Sequence, residues 1–302
     1  MPVSASASAP APLFQGLWIP LVTPLREGRI DHDAAARLTR RLCADGITGL
    51  VVCGSTGEAA ALDADEQLAL LDTVTEAASG LPVVMGLSGY HLPETLQWVR
   101  TLARRPLAGL LVPAPHYIRP GQAGALHWFQ AIADAAAAPL IVYDIPYRTG
   151  AVLERDTLLT LATHPNIRAI KDCGGDAAKT QALIADGRLD VLAGEDIQLF
   201  STVALGGRGA IAASAHLATA AFARVIALLQ AGELAAARAM WQPLLPLVEA
   251  AFAQPNPGPV KAWLAERGEI GAELRPPMMP PSAAWRAQSL NLPARLAAAR
   301  GG

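Results

Sequence analysis

Apolar residues along this chain gather in short unbroken runs, each followed by a longer stretch in which they recur every three to four positions. The runs read as buried parallel strands: Leu17–Val22, Gly49–Cys53, Pro82–Gly86, Gly109–Val112, Leu140–Asp144, Ile167–Lys171, Asp190–Ala193 and Gly209–Ala213. The stretches between them read as amphipathic helices, among them Asp33–Ala44, Ala64–Ala78, Pro93–Arg104, Gly121–Ala136, Glu154–Thr163 and Asp176–Ala185. Several open on Asp or Pro, as helix starts prefer. Eight units in strict β/α alternation predict an α/β chain closed into a (β/α)8 TIM barrel. An open doubly wound sheet is the runner-up. Its first turn usually carries Gly-x-Gly-x-x-Gly, whereas this one reads Thr23-Pro24-Leu25-Arg26.

From about Thr219 the pattern turns purely helical, through Glu233–Phe252, Pro259–Arg267 and Ala283–Arg300, with a Pro-rich bend at Pro276–Pro281. The expected division is a disordered tail over residues 1–12, a catalytic barrel over 13–231 and a small helical C-terminal appendage over 232–302. The tail has the Ser/Ala/Pro composition of a segment with nothing to bury, and lacks the basic start and apolar core of a signal peptide.

Composition narrows the function classes. Hydrophobic residues reach 52%, yet no apolar run approaches the ~18 residues of a membrane span, so no membrane role is expected. A formal charge of −2 without long runs of either sign leaves nucleic-acid binding unsupported. The six histidines form no metal-ligand spacing, and no metal is expected. Cys43, Cys53 and Cys173 are few and scattered, which suits free thiols in a reducing cytoplasm. Small-molecule chemistry is the favoured class.

Barrel enzymes place their chemistry at the C-terminal strand ends. Here the second strand runs into Gly54-Ser55-Thr56-Gly57-Glu58, the fourth into Pro115–Pro120, and the fifth into Tyr143–Gly150, while the sixth ends on Lys171-Asp172. Lys171 is one of only three lysines, against 21 arginines. A desolvated lysine becomes a nucleophile toward carbonyls, which arginine cannot. Taken alone, Lys171 reads equally well as a lysine reaching out into solvent. Ser55 and Thr56 offer hydroxyls and freed backbone N–H groups to a carboxylate, or form an ordinary strand-to-helix turn. Tyr143 is a candidate proton relay or a core aromatic, and Arg148 a carboxylate fork or a solvated loop residue.

Together these segments, with Pro255–Lys261, resemble the dihydrodipicolinate synthase / N-acetylneuraminate lyase family of pyruvate-dependent class I aldolases, over about Phe14 to Pro281. The resemblance implies a Schiff base between Lys171 and the keto carbon of pyruvate, with Tyr143 moving protons. Ser55 and Thr56 would hold the pyruvate carboxylate, and Ser55 would also link Tyr143 to Tyr117. It further implies that the Ile211 carbonyl faces pyruvate, that Gly194 contributes to the substrate site, and that no cofactor is needed. A homotetramer is expected, with Tyr117 reaching into a neighbouring subunit's site.

Within the family, Arg148 in the turn Tyr147-Arg148-Thr149-Gly150 favours the synthases that condense pyruvate with L-aspartate 4-semialdehyde. The alternative is an aldolase or lyase acting on a 2-keto-3-deoxy sugar acid, N-acetylneuraminate or a related 2-oxo acid. A non-enzymatic keto-acid binding protein is a third class. Three residues depart from the usual synthase pattern: Ser55 for threonine, Asp144 for asparagine and His116 for the first of two tyrosines. Glu195 and Asp196, at the usual phosphate corner of a barrel, speak against phosphorylated sugars. Many synthases of the family are inhibited by L-lysine. The matching positions here are Ala64, Gln67, Tyr90 and His116, with only Glu94 kept, so loss of that inhibition is expected.

Overall fold

The computed structural model describes residues 12–298. The expected tail, residues 1–12, lies outside that range apart from Pro12. Eight parallel strands form the core: β1 (Gly16–Pro20), β2 (Gly49–Val52), β3 (Val83–Gly86), β4 (Gly109–Pro113), β5 (Leu140–Asp144), β6 (Ile167–Asp172), β7 (Asp190–Ala193) and β8 (Gly209–Ile211). They pair in chain order, and β8 pairs back onto β1 to close the barrel. All eight expected strands are present, with ends moved by a few residues. One pairing was not foreseen: a two-stranded hairpin, Leu25–Arg26 with Arg29–Ile30, follows β1. Its turn residues Glu27 and Gly28 both have positive φ, of 52° and 75°, the backbone that a two-residue hairpin loop requires.

Strand periodicity divides the core into two. Val51, Ile141, Tyr143, Ala169 and Ile211 fill the barrel interior, while their neighbours Leu50, Val52, Val142 and Ile170 pack outward against the helices. Trp18 plugs the interior so tightly that a Cβ on Gly49 would come within 2.6 Å of three of its ring carbons.

Each strand is followed by a helix: α1 (His32–Ala44), α2 (Ala64–Ala77), α3 (Leu92–Leu102), α4 (Gln122–Ala135), α5 (Arg155–Leu161), α6 (Ala177–Asp186), α7 (Leu199–Ala204) and α8 (Thr219–Gln230). Local chemistry sets their starts. The Asp31 side chain accepts from Ala34 N at α1, and Asp63 with Glu66 forms a reciprocal capping box at α2.

Beyond the barrel, the continuous helix expected over Glu233–Phe252 is split into α9 (Leu234–Trp241) and α10 (Leu245–Phe252). Pro243 and Pro246 lie at the break and remove the backbone donors that would bridge it. The chain continues through α11 (Gly258–Glu266), α12 (Ala283–Ser289) and α13 (Leu292–Ala298). The expected Ala283–Arg300 helix is thus two helices, with its last residues outside the described range. No described helix is long and apolar enough to cross a membrane.

Candidate active site

Between β5 and β6 the register shifts by one at Leu140/Ile141, so that Leu140 pairs with Ile167 but Ile141 pairs with Ala169. Arg168 is skipped, and Tyr143 comes to lie directly opposite Lys171. Without this irregularity Tyr143 would face a residue of the opposite parity, whose side chain points to the helices. With it, both functional side chains turn into the barrel, and the Lys171 amine sits 4.4 Å from the centre of the Tyr143 ring.

Seven of the eight site residues expected from the sequence line one cavity at this end of the barrel: Ser55, Thr56, Tyr143, Arg148, Lys171, Gly194 and Ile211. Tyr117 is the exception. It is 84% exposed, with a positive φ of 70°, and is not part of the cavity wall. Its loop is docked through Tyr117 N, which donates to Thr149 O at 3.1 Å. The glycine at 194 has a steric reason. A Cβ there would lie 2.4 Å from Cys173 Sγ and 2.8 Å from Lys171 Cγ, displacing the lysine stem.

All three lysines of the chain are buried. Two are ion-paired with carboxylates: Lys179 with Asp144 at 2.6 Å and Lys261 with Glu58 at 2.6 Å. Lys171 has neither an ion-pair nor a hydrogen-bond partner among the described residues. Burial holds its amine below the ordinary lysine value, opposed by the nearby Asp196 and Glu195 carboxyls. The thiol of Cys173 is pushed well above its usual value by burial, so it remains neutral and does not hold Lys171 in its charged form. Burial also raises the Tyr143 phenol well above its ordinary range, with the Ser55 hydroxyl pulling the other way. The result is an amine inclined to lose its proton beside a phenol that keeps its own.

The loop after β7 closes one side. Asp196 accepts from Ser214 Oγ at 2.6 Å and Ser214 N at 2.7 Å, and burial pushes its carboxyl up to about 6. Across the mouth, Tyr147 Oη donates to Glu195 Oε1 at 2.7 Å. Arg148, next to Tyr147, has no carboxylate partner among the described residues and is a free cation on the cavity wall.

Several residues at or around this site had no catalytic or binding role assigned from the sequence. Glu195, Tyr147, Phe252 and Asn256 line the cavity. Lys179 answers the unusual Asp144: each of Tyr143 and Lys171 is followed by a buried aspartate, and Lys179 neutralises one while Thr180 donates to the other. The signal was available, since a buried acid at position 144 requires a cation, but its partner lies 35 residues away. The late Pro255–Lys261 segment joins the Gly54–Glu58 loop twice, through Asn256 to Thr56 and through Lys261 to Glu58. The positions matched to the lysine-inhibition site, Ala64, Gln67, Tyr90 and Glu94, line a separate surface crevice, and His116 abuts Tyr90 with ring centres 5.0 Å apart. Gln67 already donates its amide to Ala59 O and Leu62 O.

The dihydrodipicolinate synthetase family model matches residues 13–292. The 4-hydroxy-tetrahydrodipicolinate synthase of Sorangium cellulosum is 36% identical over 95% of this chain and 97% of its own length. 4-Hydroxy-tetrahydrodipicolinate synthase 2 of Clostridium acetobutylicum is 32% identical over 88% of this chain and 95% of its own. Among solved structures, a chloride-inhibited dihydrodipicolinate synthase from Acinetobacter baumannii, complexed with pyruvate, superposes with a TM-score of 0.90 at 30% identity, over 94% of this chain and 99% of that one. With a family match across nearly the whole chain and an eight-stranded barrel beneath it, this protein belongs to the dihydrodipicolinate synthetase family and is an enzyme of its pyruvate-dependent lyase and aldolase class.

Proposed function

We propose that the protein is a 4-hydroxy-tetrahydrodipicolinate synthase that condenses pyruvate with L-aspartate 4-semialdehyde through an imine on Lys171, without a metal or other cofactor. The observation that carries this reading is the pairing of the three lysines: among the described residues Lys171 alone lacks a carboxylate partner, and it lies in the cavity against Tyr143. The neutral amine adds to the keto carbon, water leaves, and the imine nitrogen then draws electrons from the methyl carbon as that carbon loses a proton. The resulting enamine attacks the aldehyde carbon. Tyr143 moves protons at the nitrogen and the new hydroxyl, a role that its neighbour Ser55 and its raised phenol pKa support. Ser55 and Thr56 receive the pyruvate carboxylate, and the Gly194 and Ile211 backbone borders the same space. Tyr117, exposed and outside the wall of its own cavity, completes the proton path in a neighbouring subunit of a homotetramer. Three free thiols suit a reducing cytoplasm.

Incubating the enzyme with pyruvate and a panel of aldehydes, and measuring pyruvate consumption, tests the proposal. Turnover confined to aspartate semialdehyde supports it. The Tyr147–Glu195 pair at the mouth favours a second reading, an aldolase for a 2-keto-3-deoxy sugar acid, because a phenol and a carboxylate suit a chain of hydroxyls. Turnover with hydroxylated aldehydes and not with the semialdehyde decides for that reading.

Arg148 is the expected grip for the carboxylate of the aldehyde. A charge-assisted bond of that kind contributes about 1.5–3 kcal/mol, so Arg148→Ala is expected to lower kcat/KM for the aldehyde roughly 10- to 150-fold. Reductive trapping of pyruvate should be nearly unchanged. An equal loss in both measurements would assign the arginine to structure.

L-Lysine is expected not to inhibit. Ala64 offers no side-chain hydrogen bond, the Gln67 amide is occupied, and His91 lies 3.1 Å from Glu94, where it competes for the one retained acid. Losing two or three polar contacts weakens a charged ligand by at least about 10²-fold. Activity across a lysine titration into the tens of millimolar is the check, and half-inhibition below about 1 mM would overturn the expectation.

A further inference from the structure

Thr56 has a single hydroxyl proton, and its direction decides whether the residue can donate to a carboxylate. Asn256 Nδ2 donates to Thr56 Oγ1 at 2.9 Å. Both residues line the cavity that holds Lys171, and they are 3% and 8% exposed. No other described group bonds to this hydroxyl. One of its lone pairs is therefore occupied by the Asn256 amide, while its proton is free to turn into the cavity. Asn256 Oδ1 is itself buried without a partner among the described residues, so the amide belongs to no polar network apart from Thr56. Two residues beyond Thr56, Glu58 is held by Lys261 of the same late segment, which fixes the loop at a second point.

We propose that Asn256 is a positioning residue that sets Thr56 as a hydrogen-bond donor toward the carboxylate of the 2-oxo acid bound on Lys171. The inference rests on the imine reading above. It explains why a segment from the C-terminal helices reaches the cavity, and why a neutral amide stands there. An ionised carboxylate only accepts, and at position 256 it would draw the Thr56 proton to itself and set a negative charge beside the ligand's own.

The test compares borohydride trapping on Lys171 by pyruvate with trapping by acetone, a ketone without the carboxylate. Asn256→Ala is expected to slow trapping by subsaturating pyruvate roughly 5- to 30-fold and to leave the acetone reaction unchanged. Asn256→Asp is expected to slow pyruvate trapping further. In a Thr56→Val background, Asn256→Ala should add nothing, since its effect passes through that hydroxyl. Parallel losses with pyruvate and acetone, or additive losses in the double variant, would overturn the proposal and leave Asn256 a packing residue. Failure of the wild-type enzyme to be trapped by pyruvate would instead remove the imine reading itself.

Discussion

Borohydride reduction in the presence of pyruvate is expected to add one pyruvyl group per chain, on Lys171, and Lys171→Arg is expected to abolish both that adduct and turnover. Arginine is similarly long but stays protonated at any working pH, so it cannot attack a carbonyl. The other lysines provide an internal control, because each is buried in an ion pair, Lys179 with Asp144 and Lys261 with Glu58. The pH dependence has a definite sign. Desolvation lowers the Lys171 pKa from the ordinary value of 10.5, so the neutral, reactive amine accumulates at lower pH than on a surface lysine. Trapping rates should therefore rise with pH and reach half their plateau below that ordinary value. Mass spectrometry of the peptide containing Lys171 reads the site directly, and an unmodified peptide after reduction would sink the mechanism.

Tyr143→Phe is expected to lower kcat by roughly 10²–10⁴, the usual contribution of a positioned proton donor, with little change in the pyruvate KM. Phenylalanine preserves the ring that packs among Ile141, Ile211 and the other inward residues, so the fold should tolerate the change. What is lost is the hydroxyl, a proton donor whose pKa burial raises so far that it stays protonated between turnovers. Steady-state kinetics separate the two effects. A kcat within about threefold of wild type would return Tyr143 to the role of a core aromatic.

Much of this was legible in the linear chain because it depends on local patterning. Apolar runs alternating with helical periodicity predicted all eight barrel strands, since a strand buried on both faces is apolar along its whole length. Barrel geometry then made every strand end worth inspecting, which led to Ser55, Thr56, Tyr143, Arg148 and Lys171, and all five line one cavity. Pro243 and Pro246 split the helix expected over Glu233–Phe252, although the periodicity is helical on either side of them.

Pairing was beyond the sequence. Tyr143 meets Lys171 only because the β5–β6 register slips at Leu140/Ile141, and register depends on what two distant strands do to one another, which neither strand encodes alone. The same holds for charge: that Lys179 and Lys261 are paired and Lys171 is not is a property of three-dimensional neighbours, up to 203 residues apart in the chain. Residue type and position along a strand were therefore set by the sequence itself, whereas which amine lacks a carboxylate partner, which hydroxyl lines the cavity and which tyrosine lies outside it were decided by tertiary contacts. Desolvation and hydrogen bonding act through space, and the chain acquires those surroundings only when it folds.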